Sequence, residues 1–341
     1  METLKKAADK IVSSLSRSPM KESSAEFLGT LFFILCGDGV MAVITLGRLD
    51  HIATIVSAFG WGLALLVGFC IAGNVSGGHL NPAVTVAMAC MKKCSWKCVF
   101  PYIFSQYMAS LTAASLLYVV YYDAINNFDN GSRQIPPDMN STAQIFSTYP
   151  QAYLSIGTCF IDQVVGTALL LLVICAAVDR REENLPQNVQ SAVIGLGLTV
   201  ICLAFGQNCG APLNPARDLG PRIFTALSGW GLKTFSVRKW MWFWIPVVGP
   251  HVGALLGVWL YYFFIEMPYR NYELLLNGRE LERVQEQVPS TSVSITEPSL
   301  VSIADRIQSS NDRIETKSSS ETERSSPVLP KIAEPVQPSL L

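Results

Sequence analysis

The chain carries little charge: only 15% of its 341 residues are Asp, Glu, Lys or Arg, whereas a soluble globular protein carries about 25%. The formal net charge is −1, so nothing in the composition indicates a nucleic-acid partner. The first twenty residues are polar and lack the apolar core of a cleavable signal peptide, so we expect the first membrane segment to direct insertion. No nucleophile–base pair and no set of metal or cofactor ligands is recognisable, and no enzyme activity is predicted.

Hydrophobic residues make up 50% of the chain, and the mean hydropathy is +0.33. Charged residues are rare between about residues 24 and 265 and frequent at both ends. Six apolar runs reach or approach the roughly 20 residues that a helix needs to cross a bilayer. They cover approximately 25–46, 54–73, 99–121, 155–178, 189–206 and 242–265. The sequence therefore predicts an all-α membrane protein with six transmembrane helices.

One tripeptide, Asn-Pro-Ala, occurs twice in Gly-containing breaks between apolar segments. The apolar pieces that begin there, about 81–91 and 214–226, are too short to span a membrane. We interpret them as re-entrant half-helices, which are tolerated at membrane depth where they are buried or line a wet cavity. Ordinary amphipathic loop helices are the alternative. The residues predicted to form this part of the site are Asn81, Pro82, Ala83, Asn214, Pro215 and Ala216.

The duplication extends beyond the tripeptide. Glu26 precedes Gln163 by 137 residues, close to the 133 that separate the two tripeptides. Each half, about 23–121 and 155–265, holds three spans and one half-helix, and an odd number of spans forces the halves to insert in opposite orientations. The half-helix N-termini would then meet near mid-membrane, where their N–H groups and partial positive charge repel cations and protons. We expect Glu26 and Gln163 to cap loop amides, and the Asn side chains to donate into the pore.

Lys and Arg residues predict the orientation, because they favour the cytoplasmic side. With six spans they fall on one side: Lys5, Lys6, Lys10, Arg17, Lys21, Lys92, Lys93, Lys97, Arg180 and Arg181. Residues 1–22 are therefore expected to be a cytoplasmic segment, 23–268 a channel domain and 269–341 a disordered, partner-binding cytoplasmic tail. The loop 122–154 falls outside and holds two possible N-glycosylation sites, Asn130 and Asn140.

The segments Gly77–Val84 and Leu213–Asp218 resemble the two signature loops of the aquaporin (major intrinsic protein) family, and the resemblance covers about residues 22–268. Asp218 after the second tripeptide, with Arg222 four residues later, is similar to the aquaglyceroporin branch, as are Pro246-Val247 and the outer-loop stretch 146–150. The resemblance implies a passive channel for water and small uncharged polyols such as glycerol, with urea possible. It also implies a homotetramer among membrane lipids, in the plasma membrane.

The resemblance further implies a selectivity filter. Trp61 stands 20 residues before Asn81, as the filter Trp of the family does, and Arg217 is the filter Arg. The second filter aromatic is replaced by Ala211, which we expect to widen the neck, and a small Gly is replaced by Cys202, which we expect to take back some of that space. Carbonyl groups that accept hydrogen bonds from permeants are expected on Gly77, Gly78, His79, Gly210, Ala211 and Pro212. Lipid-facing packing of Trp61 and a loop-bracing Arg217 are the alternatives.

Two remaining features admit more than one interpretation. Cys90, Cys94 and Cys98 recur every four residues, but one helix cannot close a tetrahedral metal site from that spacing without another ligand, so packing or lipidation is expected. Asp38 lies toward the outer end of the first span, where either a solvated interfacial position or a vestibule charge is possible.

Two other classes of membrane protein are also compatible with a duplicated, interrupted helix pattern. A secondary transporter shares inverted repeats but normally needs coupling carboxylates at mid-membrane, where this chain has Asn. An adhesive protein with an occluded pore is disfavoured by the small side chains at the inferred neck.

Overall fold

The computed structural model describes residues 19–179, 185–272, 274–276 and 279. Six helices in this part are long and apolar enough to cross a membrane, which confirms the predicted fold class. The helices are α1 (Met20–Leu46), α2 (Ala53–Ser76), α3 (Pro82–Cys90), α4 (Trp96–Val120), α5 (Tyr122–Asp129), α6 (Ile156–Ala177), α7 (Gln187–Cys209), α8 (Pro215–Thr225), α9 (Val237–Trp240) and α10 (Ile245–Tyr261). Short 3-10 or π turns occupy Asp50–Ile52, Ala143–Ile145, Ala226–Trp230, Gly231–Thr234 and Tyr262–Glu266.

The helix boundaries agree with the apolar runs to within a few residues. The largest difference at an N-terminus is in α1, which begins at Met20 and so extends into the segment expected to precede the channel domain. Helix α5 in the outer loop was not predicted, because its eight residues bury only Ile125 and Asp129 and form no apolar run. Most of the N-terminal segment, Arg180, Arg181 and nearly all of the tail lie outside the described residues.

The packing has the two-fold character expected of a repeat. Helix α1 packs against α2 and α4, and its counterpart α6 packs against α7 and α10. Half-helix α3 contacts α10, and half-helix α8 contacts α4, so each half-helix packs against the last span of the opposite half. Helices α2 and α7 contact each other between the halves. The two halves are therefore interlocked, and neither half-helix is seated without the other repeat.

Glycines allow the closest of these helix contacts. A Cβ added at Gly62 on α2 would lie 2.6 Å from the carbonyl oxygen of Gly195 on α7, and would also collide with the Thr199 side chain. A Cβ at Gly29 on α1 would lie 2.8 Å from the carbonyl oxygen of Gly68 on α2. Small residues let backbones approach in this way, and van der Waals packing then stabilises helix pairs that gain no hydrophobic drive from lipid.

Replacing Gly62 with Ala is expected to lower the free energy of unfolding by about 1–3 kcal/mol, because a methyl group has no room between α2 and α7. The measurement is the thermal melting of purified Gly62→Ala in detergent. Gly39→Ala on α1 is the matched control, since the nearest atom to its Cβ is 3.8 Å away. Equal melting temperatures for the two variants would contradict the close approach at Gly62.

Candidate functional site

The two half-helices begin at the Asn residues of the duplicated tripeptide. Asn81 and Asn214 are extended N-cap residues, each followed by Pro at the start of the helix. Asn81 Oδ1 accepts a hydrogen bond from Ala83 N at 2.9 Å, and Asn214 Oδ1 accepts from Ala216 N at 3.0 Å. An Asn cap satisfies a helix-terminal N–H, and Pro at the first position loses no needed donor. The local sequence therefore starts a helix abruptly at this depth.

The same Asn side chains connect the two halves. Asn81 Nδ2 donates to the Leu213 carbonyl at 3.0 Å, and Asn214 Nδ2 donates to the Leu80 carbonyl at 2.7 Å. Each amide therefore has one of its two N–H groups already used, and donation into the pore by the other stays a prediction. An Asn amide carries two N–H donors, and both residues line the central cavity. One donor from each remains for a molecule inside it.

Two cavities lie along the bundle. The central cavity, of ≈ 590 Å³, extends from Trp61 and Arg217 past the tripeptides to Lys93 and Glu266. The outer cavity, of ≈ 740 Å³, is lined by the 135–138 and 147–152 stretches of the outer loop. The residues that line both cavities are Trp61, Cys202, Ala211 and Arg217. These are the four filter residues inferred from the sequence, and we call them the neck.

Within the neck, Cζ of Arg217 lies over the Trp61 ring, 4.1 Å from the ring centroid. Its Nη1 donates to the Phe146 carbonyl of the outer loop at 2.9 Å. A guanidinium over the face of a Trp is attracted by the ring quadrupole, so the arrangement has one preferred geometry. The two alternatives for these residues are thus resolved: Trp61 does not face lipid, and Arg217 both braces a loop carbonyl and lines the cavities.

Asp38 is buried, and the solvated interfacial position considered for it was wrong. Its residue is 0% exposed, and Oδ1 lies 3.4 Å from Nη1 of Arg217. Oδ2 is buried and has no hydrogen-bond partner among the described residues. The sequence could not reveal this contact because 179 residues separate the two side chains.

The six residues expected to present carbonyl groups all border the cavities. Gly77, Gly78, His79, Ala211 and Pro212 line the central cavity, and Gly210 lines the outer one. Gly77 and Gly210 end α2 and α7 in the left-handed region, with φ of 92° and 75°. That conformation favours glycine, and it turns the chain from a span into an extended loop beside the cavity. Their role as acceptors for permeants stays a prediction.

Glu26 anchors the first of these loops. It is 0% exposed, and its carboxylate accepts hydrogen bonds from His79 N at 2.8 Å and Leu80 N at 2.7 Å. Gln106 Nε2 donates to the same carboxylate at 2.8 Å. Sequence reasoning missed Gln106, a single polar residue inside an apolar span, although an amide at such a position is itself a signal of buried polar chemistry.

The second loop has a related but weaker anchor. Leu213 N donates to Gln163 Oε1 at 3.2 Å, so the amide supplies one bond where Glu26 supplies two. Asp162 completes the arrangement by accepting from Gln163 Nε2 and Asn208 Nδ2, each at 2.9 Å. The predicted correspondence of Glu26 and Gln163 therefore holds in position, while the carboxylate of the second half has moved to the neighbouring residue.

Asp218, the residue that marks the branch, clamps the outer loop rather than lining the neck. Its Oδ2 accepts from Thr148 N at 2.9 Å, and Arg222 Nε donates to its Oδ1 at 2.8 Å. Arg222 Nη2 also donates to the Thr148 carbonyl at 2.6 Å. Burial raises the pKa of neighbouring Tyr149 to about 12, despite the opposing charge of Arg222. This network fixes the loop that bears Phe146.

The two predicted glycosylation sites, Asn130 and Asn140, are exposed in the outer loop. Asn130 follows α5 in the left-handed region, with φ of 51°. Asn140 accepts a hydrogen bond from Arg48 at 3.1 Å. Their use as acceptors of glycan stays a prediction.

Comparison with known proteins shows consistent similarity. The family model described as major intrinsic protein matches residues 13–261. Aquaporin-10 of Milnesium tardigradum is 44% identical over 72% of this chain, and the match spans only 63% of that relative's length. Aquaporin-9 of Homo sapiens is 41% identical over 74% of this chain and 85% of its own length. The X-ray structure of the aquaglyceroporin from Plasmodium falciparum matches with a TM-score of 0.65 and 30% identity, covering 74% of this chain and 98% of that one.

Replacing Glu26 with Ala is expected to destabilise the protein, because the buried N–H groups of His79 and Leu80 lose their acceptor. Each unsatisfied buried donor costs about 1–3 kcal/mol. The measurement is the amount of folded protein after detergent extraction, with Gln163→Ala for comparison, where one backbone bond is lost instead of two. A larger loss for Gln163→Ala than for Glu26→Ala would contradict the assignment of the stronger anchor to Glu26.

Proposed function

The chain belongs to the major intrinsic protein family, and we propose that it forms a passive membrane channel for water and small uncharged polyols such as glycerol. The observation that carries this proposal is the neck. The four residues inferred as a filter are the four that line both cavities. We propose that the neck joins the two cavities into one pathway from the outer loop to the inner end of the bundle.

The neck has the chemistry to pass a polyol. The Trp61 ring offers an apolar face to the carbon chain. Arg217 presents the N–H groups on its Nε and Nη2 atoms, which have no acceptor among the described residues. A polyol has hydroxyl groups along one edge and hydrocarbon along the other, so it matches this two-sided wall. Selectivity in such a pore depends on its diameter and on the donors and acceptors along it.

Beyond the neck, the pathway keeps one polar side. The loop carbonyls at 77–79 and 210–212 are proposed to accept hydrogen bonds from hydroxyl groups, and the remaining amide N–H of Asn81 and Asn214 to donate to their oxygens. Apolar side chains form much of the remaining lining, among them Phe33, Leu65, Val84, Leu170, Ile194 and Leu198, and charged side chains are found where the cavity reaches Lys93 and Glu266. A single line of polar groups orients a permeant without binding it strongly enough to stop it.

Exclusion of protons and cations is proposed to follow from the same geometry. Each half-helix N-terminus carries roughly half a positive charge, and two of them converge where the Asn side chains cross. A hydrated cation or an excess proton on a water chain would meet this field at the narrow part of the pathway. The proposed conduction needs neither a metal ion nor a cofactor, and no catalytic step is proposed.

The family is one of channels, whereas a secondary transporter remains the alternative class to be weighed. Coupled transport requires an ion site that changes charge or occupancy, and the mid-bundle positions here are the neutral Asn81 and Asn214. Asp38, a carboxylate beside the neck, faces Arg217. Permeation without an ion gradient is therefore proposed.

The setting of the channel is also a proposal. We propose a multi-pass plasma-membrane protein with both termini in the cytoplasm, assembled as a homotetramer in which each subunit has its own pathway. Glycans on Asn130 or Asn140, urea as a further permeant, and partners for the cytoplasmic tail extend the same proposal. The exposed position of both Asn residues supports the first of these.

The direct test of function is stopped-flow light scattering of proteoliposomes that contain the purified protein, with no ion gradient. Water efflux and glycerol influx are both expected to exceed those of empty liposomes. Dependence of glycerol entry on a sodium or proton gradient would support the transporter class instead, and no flux above empty liposomes would refute the channel.

Ala211→Phe is expected to lower glycerol permeability much more than water permeability, because an added ring narrows the neck and water needs less cross-section. The measurement is the ratio of the two permeabilities at matched protein amount. Ala204→Phe is the matched control, since it makes the same substitution on α7 at an exposed residue that lines neither cavity. A ratio unchanged by Ala211→Phe would place this residue outside the constriction.

Arg217→Val is expected to admit a proton or cation current, because it removes the guanidinium from the neck and leaves the buried carboxylate of Asp38 beside it without a cation. The measurement is the dissipation of an imposed pH gradient in proteoliposomes of equal protein content. Arg48→Val serves as the control, since Arg48 is an exposed outer-end charge outside both cavities. If the two variants dissipate the pH gradient at the same rate, Arg217 is not part of the barrier to protons.

A further inference from the structure

Resting on the proposed channel function, we infer that Asp38 is a positioning residue of the neck: it holds the Arg217 guanidinium against Trp61 and cancels its charge. Asp38 lines neither cavity, so it acts on permeants through Arg217. The inference rests on the burial of the carboxylate, on its distance from Arg217 and on the helix that carries it.

The burial of Asp38 requires a compensating charge. A carboxylate withdrawn from water is costly unless it is paired, and Asp38 is 0% exposed. Arg217 Nη1, at 3.4 Å, is the cation paired with it among the described residues. The neighbouring carboxylate, Asp218, is already bonded to Arg222 and Thr148. Arg217 is therefore the cation that the carboxyl group of Asp38 contacts, whereas Asp218 has partners of its own.

The position of Asp38 on α1 suits a holding role. The preceding residue is Gly37, where an added Cβ would collide with the six-membered ring of Trp61. One turn of α1 thus accommodates the Trp61 ring with Gly37 and reaches the guanidinium with Asp38. The guanidinium in turn lies 4.1 Å above the same ring. Ring and cation are consequently located by consecutive residues of one rigid helix.

Two consequences follow for conduction. First, Nη1 is held from two sides, by Asp38 and the Phe146 carbonyl, so the guanidinium is kept on the wall of the pathway and the neck stays wide enough for a polyol. Second, the neck pair is electrically neutral. The positive field that opposes cations then comes mainly from the half-helix N-termini, while Arg217 contributes oriented donors.

Asp38→Asn is the first test, because Asn keeps the size of the side chain and removes its charge. The guanidinium loses its ionic partner and keeps only an amide oxygen as acceptor at that position, so it is held less firmly on the wall, and we expect the ratio of glycerol to water permeability to fall by about threefold, the change that corresponds to a modest hydrogen bond. Thr30→Val on the same helix is the matched control. Thr30 is 0% exposed, and its hydroxyl is buried without a partner among the described residues.

The second test is a double-mutant cycle that combines Asp38→Asn with Arg217→Val. In Arg217→Val alone the buried carboxylate has no counter-ion, which is destabilising and attracts cations. Removing its charge in that background is expected to raise the amount of folded protein and to reduce the cation leak severalfold. Asp38→Asn is thus expected to lower the amount of folded protein when residue 217 is Arg and to raise it when residue 217 is Val. Independent sites do not show such a reversal.

The outcomes separate this inference from the proposed function. Absence of glycerol and water flux in the wild-type protein refutes the channel itself. If the wild-type protein conducts, and Asp38→Asn and Thr30→Val have the same ratio of glycerol to water permeability, the inference about Asp38 is refuted while the channel function stands. If Asp38→Asn does not fold, the cycle decides: recovery in the double variant relative to Arg217→Val supports the pair, and additive losses overturn it.

Discussion

The structure depends on one constraint: two helix N-termini must be buried, face to face, in the middle of an apolar bundle. Unpaired N–H groups at such a depth cost several kcal/mol each. Asn81 and Asn214 meet the constraint in two ways. Each caps its own half-helix, and each donates a hydrogen bond to the carbonyl of the residue that precedes the other Asn. The two halves are thereby bonded at the point where the pathway runs, and the rest of the fold positions these two loops.

The anchoring of the loops shows how a repeat can diverge while its geometry is kept. Glu26 satisfies two backbone N–H groups directly, whereas in the other half Gln163 satisfies one and is itself held by Asp162. Both arrangements bring an acceptor from the first helix of a half to the loop that precedes its half-helix. The requirement is a buried acceptor at that place, and a carboxylate or an amide with a neighbouring carboxylate meets it.

The sequence predicted the six spans and both half-helices, because apolar length and a duplicated cap leave a strong local pattern, whereas the four neck residues were inferred from the resemblance to a known family. It did not predict helix α5, whose short surface has one buried apolar residue. It also left Asp38 undecided, and it did not predict the bonds of the Asn amides to the opposite half. Both depend on partners more than 130 residues away, and the pairing of side chains across helices has no periodic signature along the chain.

The neighbouring residues Arg217 and Asp218 illustrate why lining residues alone do not define a filter. Successive helix positions are about 100° apart, so Arg217 faces the neck while Asp218 faces the outer loop. Each is buried and each has an opposite charge beside it, Asp38 in the first case and Arg222 in the second. The first pair lies at the neck, and the second fixes the loop whose Phe146 carbonyl holds Arg217. The orientation of one guanidinium therefore depends on α1, on α8 and on the outer loop together, and a change in any of these alters the neck without touching its lining.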